Sequence, residues 1–106
     1  MKLSIVIPCY NEQHTIASLV AAVNAAPYPD KEIIIVDDCS RDGTHAELEK
    51  LKDQVSQIVY HKVNQGKGAA LRAGCAAALA DGAGAVITLD GDGQHDPAEI
   101  PAFLRA

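Results

Sequence analysis

Three polar side chains near the end of the chain have the residue types and the spacing of a metal site. Asp90, Asp92 and Gln94 alternate with glycines, so an extended backbone points all three side chains the same way. Their two carboxylates and amide oxygen suit a hard cation such as Mg²⁺ or Mn²⁺, which can neutralise a diphosphate leaving group. Gly91 and Gly93 let the backbone turn tightly and let a ligand approach. The pattern predicts a metal and diphosphate site, with a solvated acidic turn as the alternative.

A second pair of carboxylates, Asp37 and Asp38, directly follows the apolar run 32–36. A carboxylate in this position can accept a hydrogen bond from a nucleobase N–H or from a ribose hydroxyl. Capping of the next helix by Asp38, Ser40 or Asp42 is the alternative, and we expect it to be part of the answer. The pair predicts that at least one of the two carboxylates contacts a nucleotide.

The segment 64–68 is a glycine-rich loop that precedes a predicted helix. Backbone N–H groups at the start of a helix can hold an anion, and Lys67 adds a positive charge there. Arg72, one turn further, is predicted to face the same site, with a surface salt bridge as the alternative. The loop is not a Walker A motif, because Gly68 stands where that motif requires Ser or Thr.

Two side chains after the first apolar run are further candidates. Tyr10 can stack on a nucleobase, and Glu12 can accept a hydrogen bond from a sugar hydroxyl. A loop at a helix start, with no ligand, is the alternative for both residues.

The histidines and cysteines lack the spacing of a shared metal site or a redox pair. His14, His45 and His61 are predicted to be surface residues, whereas His95 lies beside the predicted metal. The cysteines are expected to be small buried side chains in a reducing cytosol. They are Cys9, Cys39 and Cys75.

The elements that must position these residues alternate along the chain. Buried strands are predicted over 3–7 and 32–36, and two further strands over 56–61, where the alternation is less clear, and 85–89. Helices are predicted over 15–26, 42–52, 68–80 and from Pro97 onward. Apolar strands separated by helices predict an α/β fold, a Rossmann-like parallel sheet with helices on both faces. Ligands of such sheets bind beyond the carboxyl ends of the strands, where all of these polar loops begin. We therefore expect one shared site.

Length and charge exclude several classes of function. The chain has 106 residues, which suits one domain, and acids and bases are interspersed at a formal charge of -5. This balance argues against nucleic acid as a partner, because phosphate backbones are bound by basic surfaces.

No apolar run approaches the roughly 20 residues of a membrane span, and Pro8 interrupts the first run too early for a signal peptide. A cytoplasmic location is expected.

Rival motifs fit less well. The spacing from Asp38 to Glu49 matches an EF-hand calcium loop, but a strand precedes it where an EF-hand needs a helix. The segment 89–93 is similar to the start of haloacid-dehalogenase phosphatases, but Gln94 replaces the usual Thr or Val, and the strand is the fourth instead of the first. A nucleotide-binding domain without catalysis remains open.

Four segments together resemble the family-2 glycosyltransferases, most closely the dolichyl- and polyprenyl-phosphate sugar transferases. They are residues 3–12, 32–44, 64–74 and 86–97, and they follow the family's order. The resemblance implies a GT-A fold, a nucleotide-diphosphate-sugar donor and a Mg²⁺ or Mn²⁺ ion held by a D-x-D motif. It also implies an acceptor that could be a polyprenyl phosphate, which would bring the enzyme to a membrane surface.

The same resemblance assigns residues to the nucleotide pocket. It implies contacts from Pro8, Tyr10 and Glu12. It also makes Asp38 a better candidate than Asp37 for contacting the nucleobase. The resemblance also places two basic residues at positions that lie close to the nucleotide in members of the family. They are Lys67 and Arg72.

The last segment carries the metal and diphosphate positions of the family. They fall on Asp90, Asp92 and Gln94, and Gly91 replaces a commoner Ala without removing a ligand. In the family, the half that binds the acceptor and the proposed catalytic base lie further along the chain than the position of Ala106. We therefore expect residues 1–106 to be the donor-binding half, with no catalytic base and no sugar transfer of its own.

Overall fold

Strands and helices alternate throughout the computed structural model, which describes residues 2–25 and 30–89. The elements are β1 (Leu3–Cys9), α1 (Ile16–Ala25), β2 (Lys31–Asp37), α2 (Thr44–Leu51), β3 (Gln57–Tyr60), α3 (Lys67–Ala80) and β4 (Ala85–Thr88). The predicted order of four strands and three helices is confirmed, whereas the helix predicted from Pro97 lies outside the described residues.

The four strands form one sheet in the order β3-β2-β1-β4, and every neighbouring pair is parallel. In the central strand, Ile5 lies beside Ile33 of β2 and beside Ile87 of β4. All seven residues of β1 are buried, which agrees with an apolar strand covered on both faces. Because the strands are parallel, the loops that follow β1, β2 and β3 all begin at the same edge, called here the carboxyl edge.

The predicted coverage of both sheet faces is confirmed. Alternate strand residues such as Ile5 and Ile35 point into the larger core with α1 and α2, while Val6 and Ile34 face α3. The larger core consists of Leu3, Ile5, Ile7, Cys9, Ile16, Leu19, Val20, Val23, Ile33, Ile35, Leu48, Leu51 and Leu89.

Helix α3 packs very closely on the sheet because small residues form its inner face. Ala70, Gly74 and Ala78 are its buried residues, spaced four apart along the helix. A Cβ added at Gly74 would lie 2.2 Å from Val6 Cγ1 and 3.2 Å from Val36 Cγ2. The glycine therefore sets the distance between α3 and the two central strands.

Within the part of the chain that the structure describes, no helix combines the length and apolar character needed to cross a membrane.

Candidate functional site at the carboxyl edge

The loops after β1 and β2 are bound to each other by side chains that pair with backbone groups. The Asn11 N–H donates to Ser40 Oγ at 2.9 Å, and Asn11 Oδ1 accepts from the Arg41 N–H at 2.8 Å. The Gly43 N–H donates to Gln13 Oε1 at 2.7 Å. Asn11 has a φ of 55°, a left-handed conformation that Asn tolerates better than most residues. Two of the predicted polar loops are thus one connected unit.

Asp42 and Thr44 fix the start of α2. Asp42 Oδ1 accepts the Thr44 N–H at 2.9 Å and also the Thr44 hydroxyl. Burial by itself raises the pKa of Asp42, but hydrogen bonds from Thr44 and from the Gln13 N–H outweigh it and lower the pKa. Of the three residues predicted to cap this helix, Asp42 is the one that binds its first N–H.

Glu12 makes its described contacts at the start of α1. Its carbonyl oxygen accepts the N–H groups of Thr15 at 3.1 Å and Ile16 at 3.0 Å, and its Oε2 accepts the Thr15 hydroxyl at 3.1 Å. The Glu12 N–H donates to Thr44 Oγ1 at 2.7 Å, which adds a further link between the first two loops. The helix-start alternative is therefore part of its role, and a sugar contact stays a prediction.

Asp37 and Asp38 are both buried, at 2% and 4% exposure, but their carboxylates face different neighbours. Asp37 Oδ1 accepts the N–H of Ser40 at 3.2 Å and also its hydroxyl, so Asp37 holds the turn that follows β2. Cys39, inside that turn, has a left-handed φ of 60°. Asp38 instead points toward the loop that follows β3.

Asp38 binds that third loop through three hydrogen bonds to its carboxylate. Oδ1 accepts from His61 Nδ1 at 3.0 Å and from the Gln65 N–H at 2.8 Å, and Oδ2 accepts from the Gly66 N–H at 2.8 Å. Asn64 Nδ2 donates to the Asp38 carbonyl oxygen at 3.3 Å. Burial alone raises the pKa of Asp38, but the bonds from Gln65, His61 and Gly66 hold it below its ordinary value. Asp38 is therefore an ionised carboxylate that connects the second and third loops.

The prediction that His61 is a surface residue is wrong. Its side chain is only 10% exposed and bonded to Asp38, and its N–H donates to the Asp37 carbonyl oxygen at 2.9 Å. The missed signal is topological: β2 and β3 are parallel with Asp37 beside Tyr60, so the residue after one strand lies beside the residue after the other. His14 and His45 are exposed, as predicted.

The third loop leads directly into α3. Gly66 precedes the helix with a φ of 93°, which glycine adopts readily, and Lys67 is its first residue. Lys67 and Arg72 are both at least partly exposed. A Cβ at Gly68 would lie 3.4 Å from Arg72 Nη1, so the guanidinium folds back over the first turn of α3. Both cations are therefore near the loop for which the sequence predicted them.

Tyr10 and Pro8 differ in accessibility. Tyr10 follows the end of β1 and is 40% exposed, so its ring is available for stacking. Pro8 is a buried residue of β1 beside Val36. A nucleotide contact from either residue stays a prediction.

The predicted metal ligands Asp90, Asp92 and Gln94 lie outside the described residues. The same holds for Gly91, predicted to contact the nucleotide-sugar, and for His95 beside the predicted metal. The described chain reaches Leu89, whose N–H donates to the Val6 carbonyl oxygen at 3.0 Å. Within residues 2–25 and 30–89, no group of three or more His, Cys, Asp or Glu side chains is arranged to hold a metal ion.

The cysteines agree only in part with the expectation of burial. Cys9 is buried, whereas Cys39 and Cys75 are partly exposed, and all three are free thiols. Burial raises the pKa of the Cys9 thiol, and the negative charges of Asp37 and Glu12 raise it further. Cys9 is therefore an inert thiol at physiological pH.

Titration of the folded protein with a thiol reagent at pH 8 should modify Cys39 and Cys75 and leave Cys9 unmodified. Cys9 should react only after denaturant is added, because it is shielded and its thiol is hard to ionise. The Cys9→Ser variant should show the same native reactivity as the wild type. Rapid modification of three thiols in the folded wild type would contradict this account.

Comparison with known proteins identifies relatives over nearly the whole chain. Residues 4–106 match the family model described as Glycosyl transferase family 2. Undecaprenyl-phosphate mannosyltransferase of Micrococcus luteus is 30% identical over 108 residues, which cover 100% of this chain and 44% of that protein. Polyprenol monophosphomannose synthase of Mycolicibacterium smegmatis is 36% identical, over 96% of this chain and 39% of that protein. The chain thus spans less than half the length of either relative.

Solved structures share the fold. The crystal structure of S. aureus TarS 1-349 in complex with UDP superposes with a TM-score of 0.73 at 26% identity, over 87% of this chain and 28% of that chain. Mannosyltransferase PcManGT from Pyrobaculum calidifontis, in complex with GDP-Man and Mn²⁺, gives 0.72 at 26% identity, over 86% of this chain and 27% of that chain. The predicted α/β fold of the GT-A type is thereby confirmed.

Proposed function

Because this chain belongs to glycosyltransferase family 2, we propose that its carboxyl edge binds the nucleotide-diphosphate-sugar donor of a sugar-transfer reaction. One observation carries the proposal: three loops that follow three parallel strands are joined at that edge. The Gly43 bond to Gln13 links the first two loops, and the Asp38 bonds to Gln65 and Gly66 link the last two. Ligands of parallel α/β sheets bind at this position.

The nucleotide would lie across the joined loops. The exposed ring of Tyr10 is available to stack on the base, and Asp38 provides a buried acceptor for a base N–H. Lys67 and Arg72, at the start of α3, would add positive charge close to the phosphates. TarS was solved with UDP and PcManGT with GDP-Man, so uracil and guanine nucleotides are the two donor classes to compare.

We assign the divalent cation to Asp90, Asp92 and Gln94, with Gly91 allowing the diphosphate to approach. Two carboxylates and an amide oxygen form a donor set that fits Mg²⁺ or Mn²⁺. When bound, the cation supplies positive charge that stabilises the diphosphate as it leaves the sugar. The presence of Mn²⁺ in the PcManGT complex supports this assignment.

The acceptor in this proposal is a polyprenyl phosphate, and residues 1–106 provide the donor-binding part of the reaction. The Micrococcus luteus relative is an undecaprenyl-phosphate mannosyltransferase, and this chain covers 44% of that protein. The acceptor site and the catalytic base would then come from protein outside these residues. The alternative is a binding module that holds a nucleotide-sugar without turnover.

A binding titration tests the proposal. We expect the 106-residue chain to bind UDP or GDP in the presence of Mn²⁺, and to lose at least about tenfold in affinity with a chelator or in the Asp92→Ala variant. The control is Asp53→Ala, which removes an exposed carboxylate before β3 and should leave the affinity unchanged. Calorimetry measures each dissociation constant.

Three outcomes would overturn different parts of the proposal. Absence of binding to either nucleotide with Mn²⁺ would contradict the donor site itself. Affinity that is unchanged by the chelator and by Asp92→Ala would contradict the metal assignment. Efficient transfer of a sugar to a polyprenyl phosphate by this chain alone would contradict its assignment as only the donor-binding part.

A further inference from the structure

We propose that His61 sets the nucleobase preference of the donor site. By occupying an acceptor position on Asp38, it leaves a carboxylate that can take a single base N–H, which favours uracil over guanine. This inference rests on the proposed function, because it requires the base to approach Asp38.

The acceptor positions of Asp38 can be counted. A carboxylate offers about four positions, two on each oxygen. Oδ1 accepts from His61 Nδ1 at 3.0 Å and from the Gln65 N–H at 2.8 Å, so both of its positions are used. Among residues 2–25 and 30–89, Oδ2 accepts from the Gly66 N–H at 2.8 Å, which leaves one position on that oxygen. A ligand therefore meets one acceptor on this carboxylate.

The three protein donors are held in place. His61 is anchored by the bond from its N–H to the Asp37 carbonyl oxygen, and the loop that carries Gln65 is held by Asn64 Nδ2 on the Asp38 carbonyl oxygen. Because an ionised carboxylate only accepts, His61 must carry its proton on Nδ1. A ligand could displace one of these donors only by breaking a hydrogen bond to the buried Asp38 carboxylate, at a partly buried place.

The two bases present different edges to such a carboxylate. Guanine offers N1–H and an N2–H side by side, a pair that needs both carboxylate oxygens. Uracil offers one N3–H between two carbonyl groups, which needs a single acceptor. At Asp38, guanine would keep one donor without an acceptor, and a penalty of that kind lowers affinity on the order of tenfold or more.

Stacking would act in the opposite direction. Tyr10 follows Cys9, whose carbonyl oxygen accepts the Asp38 N–H at 2.9 Å, so the exposed ring and the carboxylate lie on adjacent strand ends. Every base has a face that can stack on such a ring, and the larger purine offers more area. A preference for uracil would therefore come from hydrogen bonding at Asp38.

The test compares the dissociation constants of UDP and GDP, both with Mn²⁺, for four proteins. The wild type should bind UDP at least about tenfold more tightly than GDP. His61→Leu frees the second position on Oδ1, so the ratio should fall to about one or reverse. His61→Asn keeps an N–H donor near the place of Nδ1 and should restore the preference. His45→Leu, which changes an exposed histidine of α2, should leave the ratio unchanged.

The ratio of the UDP and GDP dissociation constants within each protein separates base preference from a general loss of binding. A loosened loop would weaken the binding of both nucleotides and leave that ratio unchanged. If His61→Leu does not fold, His61→Ala, which also removes the Nδ1 donor, takes its place with the same expected ratio. Tighter binding of GDP than of UDP by the wild type would overturn this inference and leave the donor site standing. The same ratio in His61→Leu as in the wild type would also overturn it. Binding of neither nucleotide would overturn both the inference and the proposed function.

Discussion

Replacing Asp38 by Asn should lower the free energy of unfolding by about 3 kcal/mol at neutral pH, the largest loss that we expect from one polar substitution. Both oxygens of Asp38 accept backbone N–H groups, from Gln65 and from Gly66. An Asn side chain keeps one oxygen and turns an NH₂ group toward the other donor. Two donors would then face each other in a buried place. Urea denaturation monitored by circular dichroism measures the change.

The same substitution should change the dependence of stability on pH. The pKa of Asp38 in the folded protein is below its ordinary value, so its contribution is fully present above the unfolded pKa. The contribution is lost as the pH falls through the folded pKa, below about pH 4. The wild type should therefore lose stability in acid more steeply than Asp38→Asn. The variant should still lose some stability as the pH falls, because the pKa of Asp42 is also lowered in the folded protein.

The matched control is Asp53→Asn, which alters an exposed carboxylate of the segment before β3. It should change the free energy of unfolding by less than about 0.5 kcal/mol. Equal stability of Asp38→Asn and Asp53→Asn, or parallel acid profiles for Asp38→Asn and the wild type, would show that the Asp38 bonds do not hold the second and third loops together.

Replacing Gly74 by Ala should lower the free energy of unfolding by about 2 kcal/mol. The new Cβ would lie 2.2 Å from Val6 Cγ1, which forces α3 away from the sheet, and so short a contact puts the cost at the upper end of the range for overpacking, about 3 kcal/mol. Ala is the better helix former by about 1 kcal/mol, so the measured loss is a net value. Thermal and chemical denaturation both measure it.

Two further variants separate the clash from a general effect of removing glycine. Gly68→Ala, in the first turn of the same helix, meets only the flexible end of Arg72 at 3.4 Å and should be neutral or slightly stabilising. Val6→Ala removes the atom that Gly74→Ala would strike, so the double variant should lose less than the sum of the single losses. Strict additivity of the two losses would contradict the packing account.

Local sequence patterns predict the strands well because each buried strand is a run of apolar residues. The Ile-rich runs of β1 and β2 are confirmed, and the less clear strand predicted over 56–61 is present as β3, at Gln57–Tyr60. Partial exposure of Cys75 was missed because the Ala-rich sequence of α3 does not distinguish the face that meets the sheet from the face that meets solvent. Burial within such a helix is decided by packing, not by composition.

The candidate site was only half predictable for a related reason. Parallel strands and their polar loops predict one shared edge, and the structure joins three of the four loops there. Which side chains bind one another depends on strand order and register, which local patterns do not encode. The bond between Asp38 and His61 spans 23 positions in sequence and required β3 beside β2. The sequence also did not indicate that Asp38 already has three protein donors.

Chemical-shift mapping of the amide groups during titration with UDP and Mg²⁺ tests the central claim most directly. If the joined loops at the carboxyl edge bind the donor, the amides that shift should include those of Tyr10, Asp38, Gln65 and Gly66. The amides at the opposite edge of the sheet should not shift, and these are Leu3, Lys31 and Ala85. Shifts confined to the opposite edge, or no shifts at nucleotide concentrations up to several millimolar, would contradict the claim that this edge is a donor site.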